Sequence, residues 1–298
     1  MSVPAERLPL EGPAGQQELA LELPKRLFAA TPTRLTTWLD CPRRYRFTYL
    51  DRPPPPKGPP WAHNSLGSSV HLALAGFWRL EPRRRTVAAA GRLLEHAWLR
   101  DGFRDDEQSR TWRSRAREMV ERYAERLDPH DEPLGVERTV ATRTQVLALS
   151  GRVDRLDDRL GADGSRELVV VDYKTGRRPL TVQDARSSLA LALYAIAVAR
   201  TFRRRCATVE LHHLPTGEVV AHEHTPETLL RHLGRAESLG EEATASDADF
   251  RAGLTGPALA ERFPAQPSSA CRWCDFLRVC PEGSGQYTPA RPWDALAD

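Results

Sequence analysis

Asp172 and Lys174 stand two apart at the end of the run E-L-V-V-V-D-Y-K, residues 167–174. In an extended strand that spacing sends both side chains from one face, roughly 6–7 Å apart along the chain. Val169, Val170 and Val171 are apolar, so the charges emerge where a buried strand ends. A carboxylate there can bind a hard cation, and the backbone carbonyl of Tyr173 can add an oxygen ligand. Lys174 can hold or polarise an attacking water and offset negative charge. Asp154, in G-R-V-D-R, supplies a second carboxylate from a neighbouring strand. Two carboxylates with several waters suit Mg²⁺ and metal-assisted hydrolysis. Lysine occurs only at Lys25, Lys57 and Lys174 in a chain whose other basic residues are arginine, so Lys174 stands out from its background. His71, in G-S-S-V-H-L-A-L, offers an imidazole to a metal or a phosphate. Glu137 is a further acid, for the metal or in support of it. Each residue alone has an ordinary reading: a solvated strand end, a structural helix histidine, an exposed strand glutamate. Tyr194 reads likewise as a core aromatic with a satisfied hydroxyl.

A second constellation is made of cysteines. Cys271, Cys274 and Cys280 form C-x2-C-x5-C near the C-terminus, and Cys41 stands alone near the N-terminus. Four thiolates fit a [4Fe–4S] cluster or Zn²⁺. Zinc sites usually draw on two close pairs, so the one-plus-three split favours the cluster. Pro281 directly after the last cysteine matches the C-P ending of cluster-binding loops. Disulfides suit this chain poorly. Closing so long a loop would make the four cysteines a clasp for the whole fold. Cys206 is left over, as a small buried hydrophobe.

The elements that must position these groups follow from pattern. Residues 1–30, with Pro4, Pro9, Pro13 and Pro24, read as a poorly ordered lead-in with a short strand or turn near Leu27. Thr31-Pro32 starts a helix to about Leu50, with a kink or break at Pro42. Residues 53–60 (P-P-P-P-K-G-P-P) form an extended connector. Helices are expected from Asn64 or Ser65 to Trp78, over Thr86–Arg100, and over the arginine-rich Ser109–Leu127. Past Pro133 the period changes. Strands are expected over Val136–Leu149 and Gly151–Asp158, with a turn at Asp163-Gly164 before Glu167–Lys174. A long helix starting at Thr181 or Asp184 runs to Arg203. Cys206–Leu214 and Glu218–His224 pair around 215–217, and a last helix covers Pro226–Leu239. The fold class is α/β or α+β with a helical front.

The chain has 298 residues, 40% hydrophobic and 28% charged, as expected of a globular protein. No apolar run approaches the roughly 20 residues of a membrane span. With no secretory signal pattern, a cytoplasmic location is the default. The net charge of +3 permits an acidic partner without demanding one. There is no G-x4-G-K-[ST] phosphate loop, hence no motor.

Taken in order, Cys41, G-S-S-V-H, Glu137, G-R-V-D-R, V-D-Y-K-T-G, L-A-L-Y-A and C-x2-C-x5-C resemble the RecB-type PD-(D/E)XK nucleases in their iron–sulfur form. AddB-type helicase–nuclease subunits and the CRISPR adaptation nucleases have this arrangement. The resemblance spans roughly residues 31–285. It implies a restriction-endonuclease-like α/β core with a mixed central sheet flanked by helices, an N-terminal helical region and a C-terminal cysteine clasp. The implied division is one nuclease domain over 31–285: a helical part 31–130, a catalytic core 131–245 and the clasp 265–285, then a tail 286–298. It implies Mg²⁺- or Mn²⁺-dependent hydrolysis of DNA, often exonucleolytic on single strands or ends in repair and recombination. Asp154 and Asp172 would hold metal together with His71, Lys174 would act on water, Glu137 would support the site, and Tyr194 would contact DNA or the catalytic strand. Family members commonly carry glutamine four residues before that tyrosine, where this chain has Ala190; Gln183 lies too far upstream to replace it simply. This departure leaves a second reading, a catalytically weak module that recognises DNA ends for a partner helicase.

Overall fold

The computed structural model describes residues 27–160 and 164–296. The lead-in up to residue 26, and Asp163 of the expected turn, lie outside the described residues. The segment near Leu27 is a strand, β1 (Phe28–Ala30). The expected first helix is two: α1 (Pro32–Asp40) and α2 (Pro42–Tyr49), divided at Cys41. Pro42 has no N–H to continue α1, and as the first residue of α2 it needs none. Cys41 closes one helix and opens the next, its Sγ accepting from Arg44 N at 3.4 Å.

The helical front continues through α3 (Ala62–Trp78), α4 (Val87–Ala97) and α5 (Asp106–Ala124). Thr86 and Asp105 cap α4 and α5 by accepting from the third residue on. Then come β2 (Gly135–Arg143), β3 (Leu147–Leu160) and β4 (Arg166–Lys174), an antiparallel series. The long helix expected after β4 is also split, into α6 (Val182–Ser187) and α7 (Leu189–Phe202). Ser188 leaves the helical region and caps α7 through its hydroxyl. β5 (Thr208–His213) runs parallel to β4, and β6 (Glu218–Glu223) returns antiparallel. The helix expected to stop at Leu239 continues as α8 (Pro226–Arg251). Leu239 and Ala243 beyond it are buried, so the apolar stripe carries on under the more polar sequence. α9 (Gly256–Arg262) leads to the cysteine loop and to the short α10 (Pro281–Ser284).

These strands make one mixed six-stranded sheet flanked by helices. α3, α4 and α5 bury Leu66, Phe77, Trp112 and Val120 with Val169, Val171 and Tyr173 on one face. On the other face α6 and α7 pack Ala185, Leu191 and Val198 against Leu168, Val170 and Val209. A third cluster joins β1, α1, α7 and α8 around Phe28, Trp38, Leu147 and Phe263.

One feature of the sheet decides where a site can form. β2 pairs along one edge of β3, from Ala148 to Leu156. The other edge is shared: β1 takes Leu147–Leu149 and β4 takes Arg155–Leu160. Between them, among the described residues, 150–154 have no strand beside them on that edge.

Candidate metal centre and cysteine site

A cleft of about 870 Å³ opens at this interruption. Its walls include Thr31–Thr33 after β1, Ser150–Arg152 and Asp154 of β3, His71, Leu72 and Arg79 of α3, and Tyr194 of α7. The predicted acidic and basic groups converge where the β3–β4 ladder ends, at Arg155↔Val171. The next residue of β3, Asp154, turns its carboxylate to accept from Tyr173 N at 2.8 Å. Its other oxygen lies 3.3 Å from His71 Nδ1. The β2–β3 register sets Glu137 opposite Asp154, between the pairs Val136↔Arg155 and Arg138↔Val153. Glu137 has φ 48°, the left-handed region that side chains rarely occupy. Its carboxylate reaches to 4.0 Å from His71 Nδ1 and pairs with Arg152 at 2.8 Å. Ligand atoms of His71, Glu137 and Asp154 all lie within 4.8 Å of one another.

Asp172 and Lys174 leave β4 together, as the spacing predicts, and form an ion pair. Asp172 Oδ2 is buried, and the Lys174 ammonium is its partner. A buried carboxylate near the Asp154 carboxylate and the His71 imidazole fits a divalent cation, although Asp172 lies outside the tight His71–Glu137–Asp154 group. The electrostatics agree. Burial pushes the Asp172 carboxyl up, Lys174 pulls it down, and Asp154 pushes it up again. Burial also raises Glu137, reinforced by Asp154 and opposed by Arg152 and His71. Burial opposes protonation of His71, but the Asp154, Asp172 and Glu137 carboxylates outweigh it and raise its pKa. Three carboxylates thus meet Lys174, Arg152 and the His71 imidazole at one place.

Tyr194 lies across β3: a Cβ at Gly151 would stand 2.3 Å from its ring. Burial, then Asp172 and Asp154, push its phenol up to about 12. Gly67 of α3 faces Thr175, just past β4, where a Cβ would meet Oγ1 at 3.4 Å, an ordinary contact distance. Ala190 is half-buried in the first turn of α7, and Gln183 is exposed on α6. Tyr173 contributes its N–H to the site, and its ring packs edge-on against His71 at 5.9 Å. Sequence reasoning missed Arg79, Leu72 and the Thr31–Thr33 wall. No spacing links them; the interruption in the sheet does. Arg152 stood within a quoted motif, and only the neighbouring strand reveals its pairing with Glu137.

Cys41, Cys271, Cys274 and Cys280 line one cavity of about 50 Å³, with Phe47, Leu277 and Gly283. A Cβ on Gly283 would come within 3.5 Å of Cys280 Sγ and 3.8 Å of Cys271 Sγ, so glycine keeps the space between the thiols open. Among the described residues, no three of the four sulfurs lie within 4.8 Å of one another. Cys271 Sγ accepts from Ser268 N at 3.4 Å, as Cys41 does from Arg44 N. Arg43 crosses the gap, pairing with Glu282 at 2.9 Å and donating to Phe263 O. Cys206 is buried, 3% exposed, and burial raises its thiol to about 12, which makes it inert. Among the described residues no helix is long and apolar enough to cross a membrane.

No curated protein matches the chain closely enough to count as a relative. The family model of the PD-(D/E)XK nuclease superfamily matches residues 29–281, from β1 to the residue after Cys280. That span takes in all three strands of the acidic centre and all four cysteines of the cavity, and the chain belongs to the PD-(D/E)XK nuclease superfamily.

Proposed function

We propose that this protein is a Mg²⁺- or Mn²⁺-dependent deoxyribonuclease that acts on single-stranded DNA or DNA ends, as an exonuclease in repair or recombination. The observation that carries the reading is the convergence of His71, Glu137 and Asp154 within 4.8 Å beside the Asp172–Lys174 pair. His71, Asp154, Asp172 and the Tyr173 carbonyl would hold the cation, with Glu137 in support. When bound, a divalent cation polarises the scissile phosphate and lowers the pKa of a coordinated water. Lys174 takes the place of a water-orienting cation. Arg79 and Arg152, on the cleft wall, supply charge for flanking phosphates. Tyr194 closes the cleft floor against the strand.

The cysteine cavity supports a [4Fe–4S] cluster. Tetrahedral zinc with bonds of about 2.3 Å draws its sulfurs to about 3.8 Å apart, closer than any three of these. A cluster holds its thiolates wider and accepts amide N–H···S donors of the kind Arg44 and Ser268 provide. Zn²⁺ is the alternative occupant.

The test uses end-labelled single-stranded DNA, cluster-loaded protein and Mn²⁺. Wild type should release short products, and Asp172→Asn should not. DNA left intact by wild type, yet bound in a salt-sensitive manner, would favour the end-binding module working with a partner helicase.

A further inference from the structure

Directly behind the acidic centre, on the α3–α5 face of the sheet, six side chains close a hydrogen-bonded ring. Arg155 Nη1 donates to Tyr123 Oη at 3.1 Å, and Tyr123 Oη meets His212 Nδ1 at 2.7 Å. His212 Nε2 meets Glu210 at 2.8 Å, and Glu210 takes two bonds from Arg159 at 2.6 and 2.9 Å. Arg159 and Arg155 then share one oxygen of Asp157, at 2.7 and 2.8 Å. The protons run one way. The Glu210 carboxylate takes the Nε2 proton of His212, so Nδ1 is left to accept from Tyr123, whose oxygen accepts from Arg155. Burial, with Arg155 and Arg159 adding to it, keeps His212 neutral. Two arginines balance two carboxylates.

Arg155, Glu210 and His212 are each under 10% exposed. Burying such a ring is costly, and an apolar packing of the same volume would stabilise the fold as well. Its place in the sheet gives it another use. Arg155, Asp157 and Arg159 belong to β3, and Glu210 and His212 to β5. β4 runs between them, so the ring spans the strand that carries Asp172 and Lys174. It closes at Arg155, the last residue of β3 paired with β4 before the interruption, and Asp154 is next. Tyr123 and His212 also pack on the ring of Tyr173, whose N–H holds Asp154.

We infer that the Arg155–Tyr123–His212–Glu210–Arg159–Asp157 ring is a positioning device that fixes Asp154 against Asp172 and thereby sets the affinity of the acidic centre for its divalent cation. The inference rests on the proposed metal centre and concerns residues that touch neither metal nor DNA.

Tyr123→Phe removes one hydroxyl from the ring and keeps the aromatic packing. The experiment measures Mn²⁺ binding directly, from the loss of the free-ion electron-spin resonance signal, on cluster-loaded protein without DNA. Wild type, Tyr123→Phe, His212→Gln and the remote core variant Leu239→Ala are compared, each with its Tm. A supporting result is Mn²⁺ binding weakened about tenfold in both ring variants, the scale of losses around metal ligands, with Leu239→Ala unchanged despite a lower Tm. Ring variants that bind as wild type does, or an equal loss in Leu239→Ala, would overturn the inference while leaving the metal centre standing. Wild type that binds no Mn²⁺ would overturn the metal centre and the inference together.

Discussion

Glu137 should show stability and activity moving in opposite directions. Its φ of 48° places a Cβ where it crowds the following carbonyl, at about 1–2 kcal/mol for a non-glycine residue. Glycine removes that strain but costs about 0.5–1 kcal/mol in additional chain entropy. Taking the middle of both ranges, the net gain of Glu137→Gly over Glu137→Ala is about 0.75 kcal/mol. Both variants lose the same carboxylate and the same Arg152 pair, and that pair is weak because Arg152 is 69% exposed. The comparison isolates the backbone. At about 2–4 °C per kcal/mol for a chain of this class, the glycine variant should melt about 1.5–3 °C above the alanine variant. Both should lose cleavage, since neither places a carboxylate against His71 and Asp154. Thermal melts monitored by circular dichroism and cleavage of labelled DNA decide it. A glycine variant no more stable than alanine would refute the strain, and full activity in either would refute the use to which it is put.

Other expectations follow from particular contacts. Lys174→Met keeps the length of the side chain and removes the charge beside Asp172; cleavage at saturating Mn²⁺ should fall about 10²–10⁴-fold, and Tm without metal should fall too, because the buried Asp172 carboxylate loses its partner. Cys41→Ser should abolish the visible absorption of a cluster and release α2 from the 271–280 loop, which limited proteolysis would detect as new cutting on either side of the clasp. His224 is buried beside His222 and His232, and burial first, then those neighbours, lowers its pKa to about 4. A lowered histidine resists protonation in the fold, so its stability is complete above about 6.5 and is lost as pH falls from there towards 4. His224→Gln should flatten the fall in Tm across that window relative to wild type, and parallel Tm-against-pH curves for the two proteins would show that His224 does not cause it.

Much of the centre was legible because it obeys strand periodicity. Asp172 and Lys174 share a face because they are two apart, and the apolar run before them placed the end of a buried strand. The break at Pro42, the capping by Thr31 and the partition of the cysteines were also visible in residue type. What stayed hidden depends on tertiary pairing. The split at Ser188 follows from a hydroxyl choosing a cap over a continuous helix, in a stretch whose apolar pattern favours one helix. The extension of α8 to Arg251 runs through E-E-A-T-A-S-D-A-D, where Ala243, Ser246 and Asp247 are buried against partners far away in sequence, Arg34 and Tyr45 among them. The cleft itself arises because β3 changes neighbours from β1 to β4, which no local pattern announces.

His71, Asp154 and Asp172 are proposed to hold one divalent cation. Such a site is tested most directly by anomalous diffraction from crystals soaked in Mn²⁺, with data collected on both sides of the manganese edge so that iron at the cysteines is told apart. A manganese peak is expected within ligand distance of the Asp154 and Asp172 carboxylates and the His71 imidazole. A manganese peak elsewhere, or none at that position, would contradict it.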